Sequence, residues 1–155
     1  MLAVGDLIIR EMTESDIEEV SKIEEECFSM PWKPEDFKEM IIRDNMTYVV
    51  SEIDGQIIGG AGLRCIVGDG EITNVAISAA YRGKGYSKPM LEELLLLGEK
   101  LGCSAYTLEV RVSNEPAIRL YKSLGFLESG IRPNFYEKPK EDALIMWKTP
   151  ALGAE

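Results

Sequence analysis

Between Tyr81 and Ser87 the chain reads Tyr-Arg-Gly-Lys-Gly-Tyr-Ser, which has the ingredients of an anion site. Gly83 and Gly85 let backbone N–H groups approach a ligand closely. A helix opening just beyond them adds the partial positive charge of its N-terminus. Arg82, Lys84 and Lys88 supply full charges. A pyrophosphate is the natural occupant. The Walker phosphate pattern is absent, and a dinucleotide fingerprint fails because Lys88 stands where the third glycine belongs. On this segment alone, a turn whose glycines only reverse the chain is the competing reading.

The chain contains no histidine. That removes Ser-His-Asp and Cys-His nucleophile systems, helical His-pair metal sites and every histidine base. Acid–base chemistry must then run on Glu, Asp, Tyr, Lys or Cys. The three cysteines, Cys27, Cys65 and Cys103, fit neither a disulfide framework nor a paired metal site, and they read as small buried residues. With 27 acids against 17 bases, the net charge of -10 argues against nucleic acid as a partner. The acidic surface either steers basic partners inward or simply keeps the protein soluble.

These residues need a scaffold. The 155 residues, 45% of them hydrophobic, suit one domain over 1–150 with a short tail at 151–155. No run approaches the ~18 apolar residues of a membrane span, and the opening residues lack a basic signal-peptide head, so the cytoplasm is expected. Residues 7–10 read as a strand, and Thr13 with Asp16 as the start of a helix carrying Ile17, Val20, Ile23 and Cys27. Pro34 opens a second helix reaching about Arg43. Strands at 47–53 and 56–66 are joined by Asp54-Gly55, a strong hairpin signal. A third strand, 71–78, follows a turn at 68–70. Then come a helix over 87–101, a strand over 105–112, a helix over 115–124, and strands near 126–136 and 143–148. Hairpins first and β-α-β crossovers later predict an α/β fold: a mixed sheet with helices on both faces.

Arg82-Gly83-Lys84-Gly85-Tyr86-Ser87 resembles the Q/R-x-x-G-x-G/A signature of the GNAT acetyltransferases, with Ser87 in place of the final small residue. The likeness continues through Asn74-Val75-Ala76-Ile77, Leu108-Glu109-Val110-Arg111, Ser113-Asn114, Leu120-Tyr121 and Ser123-Leu124-Gly125-Phe126. Phe28, Pro31-Trp32 and Phe37 upstream, and residues 141–146 at the end, extend it over roughly 7–148. Within the superfamily the chain resembles the bacterial ribosomal-protein-alanine N-acetyltransferases, the RimI family. The resemblance implies a mostly antiparallel sheet of about seven strands, splayed between the fourth and fifth, with four helices.

It also implies roles. Val75, Ala76 and Ile77 would pair with the pantetheine of acetyl-CoA, residues Arg82 to Lys88 (Arg82, Gly83, Lys84, Gly85, Tyr86, Ser87, Lys88) would cradle its pyrophosphate, and Asn114 would touch the cofactor. Glu109 would be the general base and Tyr121 the general acid. Glu109 could instead pair with a neighbour such as Arg111, and Tyr121 could be a core aromatic. Phe28 and Trp32 on one side, with Asn134, Phe135 and Tyr136 on the other, would wall an acceptor slot. Pro133 replaces an arginine expected before Asn134. The implied acceptor is the N-terminal amine, alanine, of a basic small-subunit ribosomal protein; Glu24, Glu25, Glu26 and Glu35 would attract it, unless 24–26 is merely a solvated helix face. No metal, nucleic acid or membrane is implied. Two rivals share these residues: an enzyme for a small-molecule amine, and a non-catalytic acetyl-CoA-binding module.

Overall fold

The computed structural model describes residues 7–150, so the tail expected at 151–155 lies outside them. Strand β1 (Leu7–Glu11) is followed by one 3-10 turn, helix α1 (Ile17–Cys27) and helix α2 (Pro34–Ile42). Strands β2 (Met46–Ile53), β3 (Gln56–Ile66) and β4 (Asp69–Ile77) precede helix α3 (Ser87–Lys100). Strand β5 (Ala105–Arg111), helix α4 (Glu115–Ser123), and strands β6 (Leu127–Glu137) and β7 (Lys140–Lys148) complete the order. The seven strands form one sheet, β1-β2-β3-β4-β5-β7-β6. Every neighbouring pair is antiparallel except β4 with β5.

Strand alternation divides the core in two. Tyr48 and Val50 point toward α1 and α2, where Val20, Phe37 and Met40 are buried with them. Val49 points the other way, into a cluster with Met90, Leu91 and Leu94 of α3 and Leu108 and Val110 of β5. The sheet is therefore covered on both faces, as the element order predicted. Asp54 and Gly55 form the expected left-handed turn, with φ of 51° and 78°. The next turn falls earlier than the sequence reading had it, at Val67 and Gly68, and β4 begins already at Asp69. A two-residue turn lets Ile66 pair directly with Asp69. Similarly, β7 starts at Lys140 rather than 143, because Glu137 pairs with Lys140 across a two-residue turn. No helix among the described residues is long and apolar enough to cross a membrane.

The entry to α1 is held electrostatically. Asp16 accepts from Thr13 N–H at 2.7 Å and takes Arg10 as a bidentate partner at 2.8 and 3.0 Å. Hydrogen bonds from Arg10, joined by those from Thr13, hold the Asp16 carboxyl down to about 2 against the opposing effect of burial. A carboxyl whose folded pKa lies below its unfolded ~3.9 stabilises the fold above that value, by about 2 kcal/mol here, and loses this as pH falls toward the folded value. Asp16→Asn should therefore be less stable than the parent by about that amount at pH 7. In urea denaturation across pH, the gap should close between roughly pH 4 and pH 2.

Candidate active site

The β4–β5 ladder consists of three pairs, Asp69 with Ala105, Gly70 with Tyr106 and Glu71 with Thr107. Past Glu71 the two strands separate, while β4 stays paired to β3 as far as Ile77. Val75, Ala76 and Ile77 thus present one backbone edge to a gap. Extended polar chains pair with such edges by main-chain hydrogen bonds. At the mouth of the gap the loop 82–86 leads into α3. Gly83 and Gly85 adopt φ of 73° and 83°, a region that costs an L side chain about 1–2 kcal/mol, and a Cβ on either would meet nothing within 4 Å. Strain alone demands glycine at these two positions, and the loop surface stays open.

Helix α3 opens at Ser87 as expected, with Tyr86 at the cap position; among the described residues no side chain caps it, so its first N–H groups have no side-chain partner. One detail differs from the sequence reading. Arg82 turns away from the loop: its Nε donates to Ile77 O at 2.8 Å and its Nη2 to Cys27 Sγ at 3.1 Å. Its guanidinium closes the end of β4, leaving Lys84 in the loop and Lys88 in the first turn of α3 as exposed charges. Cys27 itself is half-buried rather than buried, with its thiol donating to Ile77 O at 3.4 Å. Cys65 and Cys103 are buried as expected.

On the far side of the gap, Leu108 and Val110 face the core, and Glu109 faces away from it. Its carboxylate pairs at 2.6 Å with Arg132 of β6, not with Arg111. Arg111 is occupied elsewhere: it bonds Glu141 and the carbonyls of Lys138 and Pro139, and lies 4.3 Å from the Tyr136 ring centre. Tyr136 is raised to about 12, first by burial and then by the Glu109 carboxylate, with Arg111 opposing. Asn114 caps α4 by accepting from Ala117 N–H at 3.3 Å. Further along α4, the Tyr121 ring packs edge-on to Phe126 in the core, 5.9 Å between centroids. Its hydroxyl has no protein partner among the described residues yet is not sealed off. Burial, then Tyr136, raises the Tyr121 phenol well above its usual value, so it holds its proton at neutral pH.

One hydrogen bond joins the two segments that were expected to wall an acceptor slot. Ser29 Oγ, just after Phe28, donates to Lys138 O at 2.6 Å, joining the α1–α2 segment to the β6–β7 turn. Phe135 and Tyr136 stack edge to face at 5.0 Å, Arg132 lies over Phe135, and Asn134 is fixed by its N–H to Asp142. Trp32 instead packs against Phe37, lining a cavity of about 330 Å³ with Asp36, Glu39, Glu71 and Thr73 among others. The sequence reading missed Ser29 and Arg132 and put Glu24 on the surface, while Glu25, Glu26 and Glu35 are exposed as expected. Glu26 accepts from Ala79 N–H, and Glu24 is only 1% exposed. Spacing held the clue: Glu24 lies four residues after Val20 and three before Cys27, within the inward stripe.

The model of the acetyltransferase (GNAT) family matches residues 17–126. The chain belongs to the GNAT acetyltransferases. It is 39% identical over 142 residues to a Bacillus subtilis protein provisionally named ribosomal protein bS18-alanine N-acetyltransferase, covering 91% of this chain and 94% of that one. The Escherichia coli enzyme of the same name is 31% identical over 140 residues, 89% and 94% of the two chains. The crystal structure of the ribosomal-protein-S18-alanine N-acetyltransferase from Escherichia coli superposes with a TM-score of 0.83 at 29% identity, covering 96% and 98%. As a GNAT member the protein is an acyltransferase that draws its acetyl group from acetyl-CoA. The gap, the uncapped α3 and the glycine loop suit that cofactor's amides and diphosphate.

Local stability separates the two α4 residues. Asn114→Ala removes a helix cap and should lower the unfolding free energy by about 1 kcal/mol. Tyr121→Phe loses no protein hydrogen bond and should change it by no more than roughly 0.5 kcal/mol, both read from urea unfolding.

Proposed function

We propose that this GNAT enzyme acetylates the N-terminal alanine amine of a ribosomal protein, by direct transfer from acetyl-CoA. The observation that carries the reading is a carboxylate on β5, Glu109, and a protonated phenol on α4, Tyr121, both within electrostatic reach of Tyr136, in a chain whose relatives over most of its length are named for that acceptor. In this reading acetyl-CoA lies along Val75, Ala76 and Ile77, its diphosphate is bound by the N–H groups of residues 83–88, and its thioester sits between Glu109 and Tyr121.

A protein α-amine has a pKa of ~7.7–8.0, so an appreciable fraction is neutral near pH 7, unlike a lysine amine near ~10.4. The neutral nitrogen attacks the thioester carbon, and Glu109 takes the proton shed as the N–C bond forms, directly or through a water. The C–S bond then breaks, and Tyr121 gives its proton to the departing thiolate. The Arg132 guanidinium, more than half exposed, marks a donor position on Glu109 that the N–H of an incoming neutral amine can take over. The slot between Phe28 and the 134–136 segment receives the small first residue, and the acidic surface draws in a basic tail.

The test compares acetyl transfer to an alanine-leading basic peptide with transfer to a panel of polyamines and amino sugars. The peptide should be strongly preferred, and Tyr121→Phe and Glu109→Gln should each lower the rate by ~10²–10⁴ with the fold intact. Preference for a free amine would overturn the acceptor assignment. Undiminished turnover in either variant would remove that residue from the chemistry.

A further inference from the structure

Glu24 is a costly residue that the chemistry above does not use. It sits in the last turn of α1, where its own carbonyl accepts from Phe28 N–H and the helix dipole disfavours a negative charge. It is 1% exposed, and among the described residues no cation pairs with it. Among the described residues its Oε1 has no hydrogen-bond partner. Burial accordingly pushes the carboxyl up, against the bonds it accepts from Trp32 and Asn74. A buried acceptor left open normally costs about 1–3 kcal/mol, and such groups in a folded protein call for a reason.

The reason lies at the other oxygen. Glu24 Oε2 accepts from Asn74 Nδ2 at 2.6 Å and from Trp32 N–H at 3.3 Å. Asn74 is the left-handed residue of a bulge in β4, with φ of 55°. On the β3–β4 ladder Gly62 faces Thr73 and Gly60 faces Ala76, so Ala61 alone stands opposite both Asn74 and Val75. Bulges bend a strand and re-aim the residues beyond them. This one, at Asn74 and Val75, opens the segment 75–77 that forms the edge exposed to the gap. Trp32 belongs to the α1–α2 segment that also carries Phe28 and Ser29. One carboxylate oxygen therefore ties the bent strand to the acceptor wall. The same turn of α1 grips β4 further along, through Cys27 to Ile77 O and Glu26 to Ala79 N–H.

We infer that Glu24 is a positioning residue: it fixes the β4 bulge against the α1–α2 segment, so that the cofactor edge and the acceptor slot are set by one joint. The inference rests on the proposed use of that edge and slot. It needs the acceptor geometry of the carboxylate, not its charge. A glutamine, whose carbonyl oxygen can accept the same two N–H groups, should replace it.

The test measures acetyl-CoA affinity by calorimetry, and KM and kcat with the alanine-leading peptide, on the full chain. Wild-type transfer to the peptide is established first, so failure of the acceptor reading shows in the parent protein and failure of the joint only in variants. Glu24→Ala should weaken acetyl-CoA binding and raise KM for the peptide about tenfold each, with kcat changed less; Glu24→Gln should stay within about threefold of the parent on both. Because Glu24→Ala can fail to fold, Asn74→Gly provides a second route, keeping the left-handed backbone while deleting the bond, and it should weaken both constants in the same direction. Unchanged constants in Asn74→Gly, a loss confined to one of the two ligands, or a glutamine variant as impaired as the alanine one would each overturn the assignment.

Discussion

Three residue pairs join β4 to β5, and then the ladder stops in the middle of the sheet. Backbone N–H and C=O groups are obligatory hydrogen-bonding partners, and a central strand that loses its neighbour must find another one. Most of what surrounds the gap follows from that. The crossover from β4 to the parallel β5 runs through α3, which starts just past the end of β4. Strand alternation then puts Glu109 on the open face while Leu108 and Val110 hold β5 to the core. The return helix, α4, carries the Tyr121 phenol in the core on the other face of β5.

The gap keeps its shape because its edges are pinned from both ends of the chain. The carbonyls of the β6–β7 turn are held by Arg111, whose guanidinium also covers Tyr136, so the hairpin cannot swing away from β5. Ser29 joins that same turn to the segment after α1. On the β4 side, Arg82 closes the strand end instead of reaching into the loop. The loop is left with backbone donors and two exposed lysines, which can follow a flexible anionic ligand more readily than a fixed guanidinium could.

Much of this was readable in the sequence, and the reason is local. Helix and strand periods, the Asp54-Gly55 hairpin and the glycines at 83 and 85 express short-range rules, and the element order follows from them. Glu109 and Tyr121 were named through family likeness alone. What escaped was set by contacts across the fold. Glu109 pairs with Arg132, 23 positions along, while the nearer Arg111 is claimed by Glu141 and two carbonyls. Glu24 looked like part of an acidic face because its neighbours are acids; its partners, Trp32 and Asn74, come from two other segments. The left-handed backbone of Asn74 has no short sequence signal, since the bulge exists only through pairing with β3.

Amide hydrogen exchange, followed with and without acetyl-CoA, probes the gap directly, because an amide exchanges slowly only while it is hydrogen-bonded or shielded. If the cofactor completes the sheet, exchange should slow at residues 75–77 and 83–88 and stay unchanged along β1 and β2. Slowing confined to the cavity beside Trp32, with the β4 edge and the glycine loop unaffected, would contradict it.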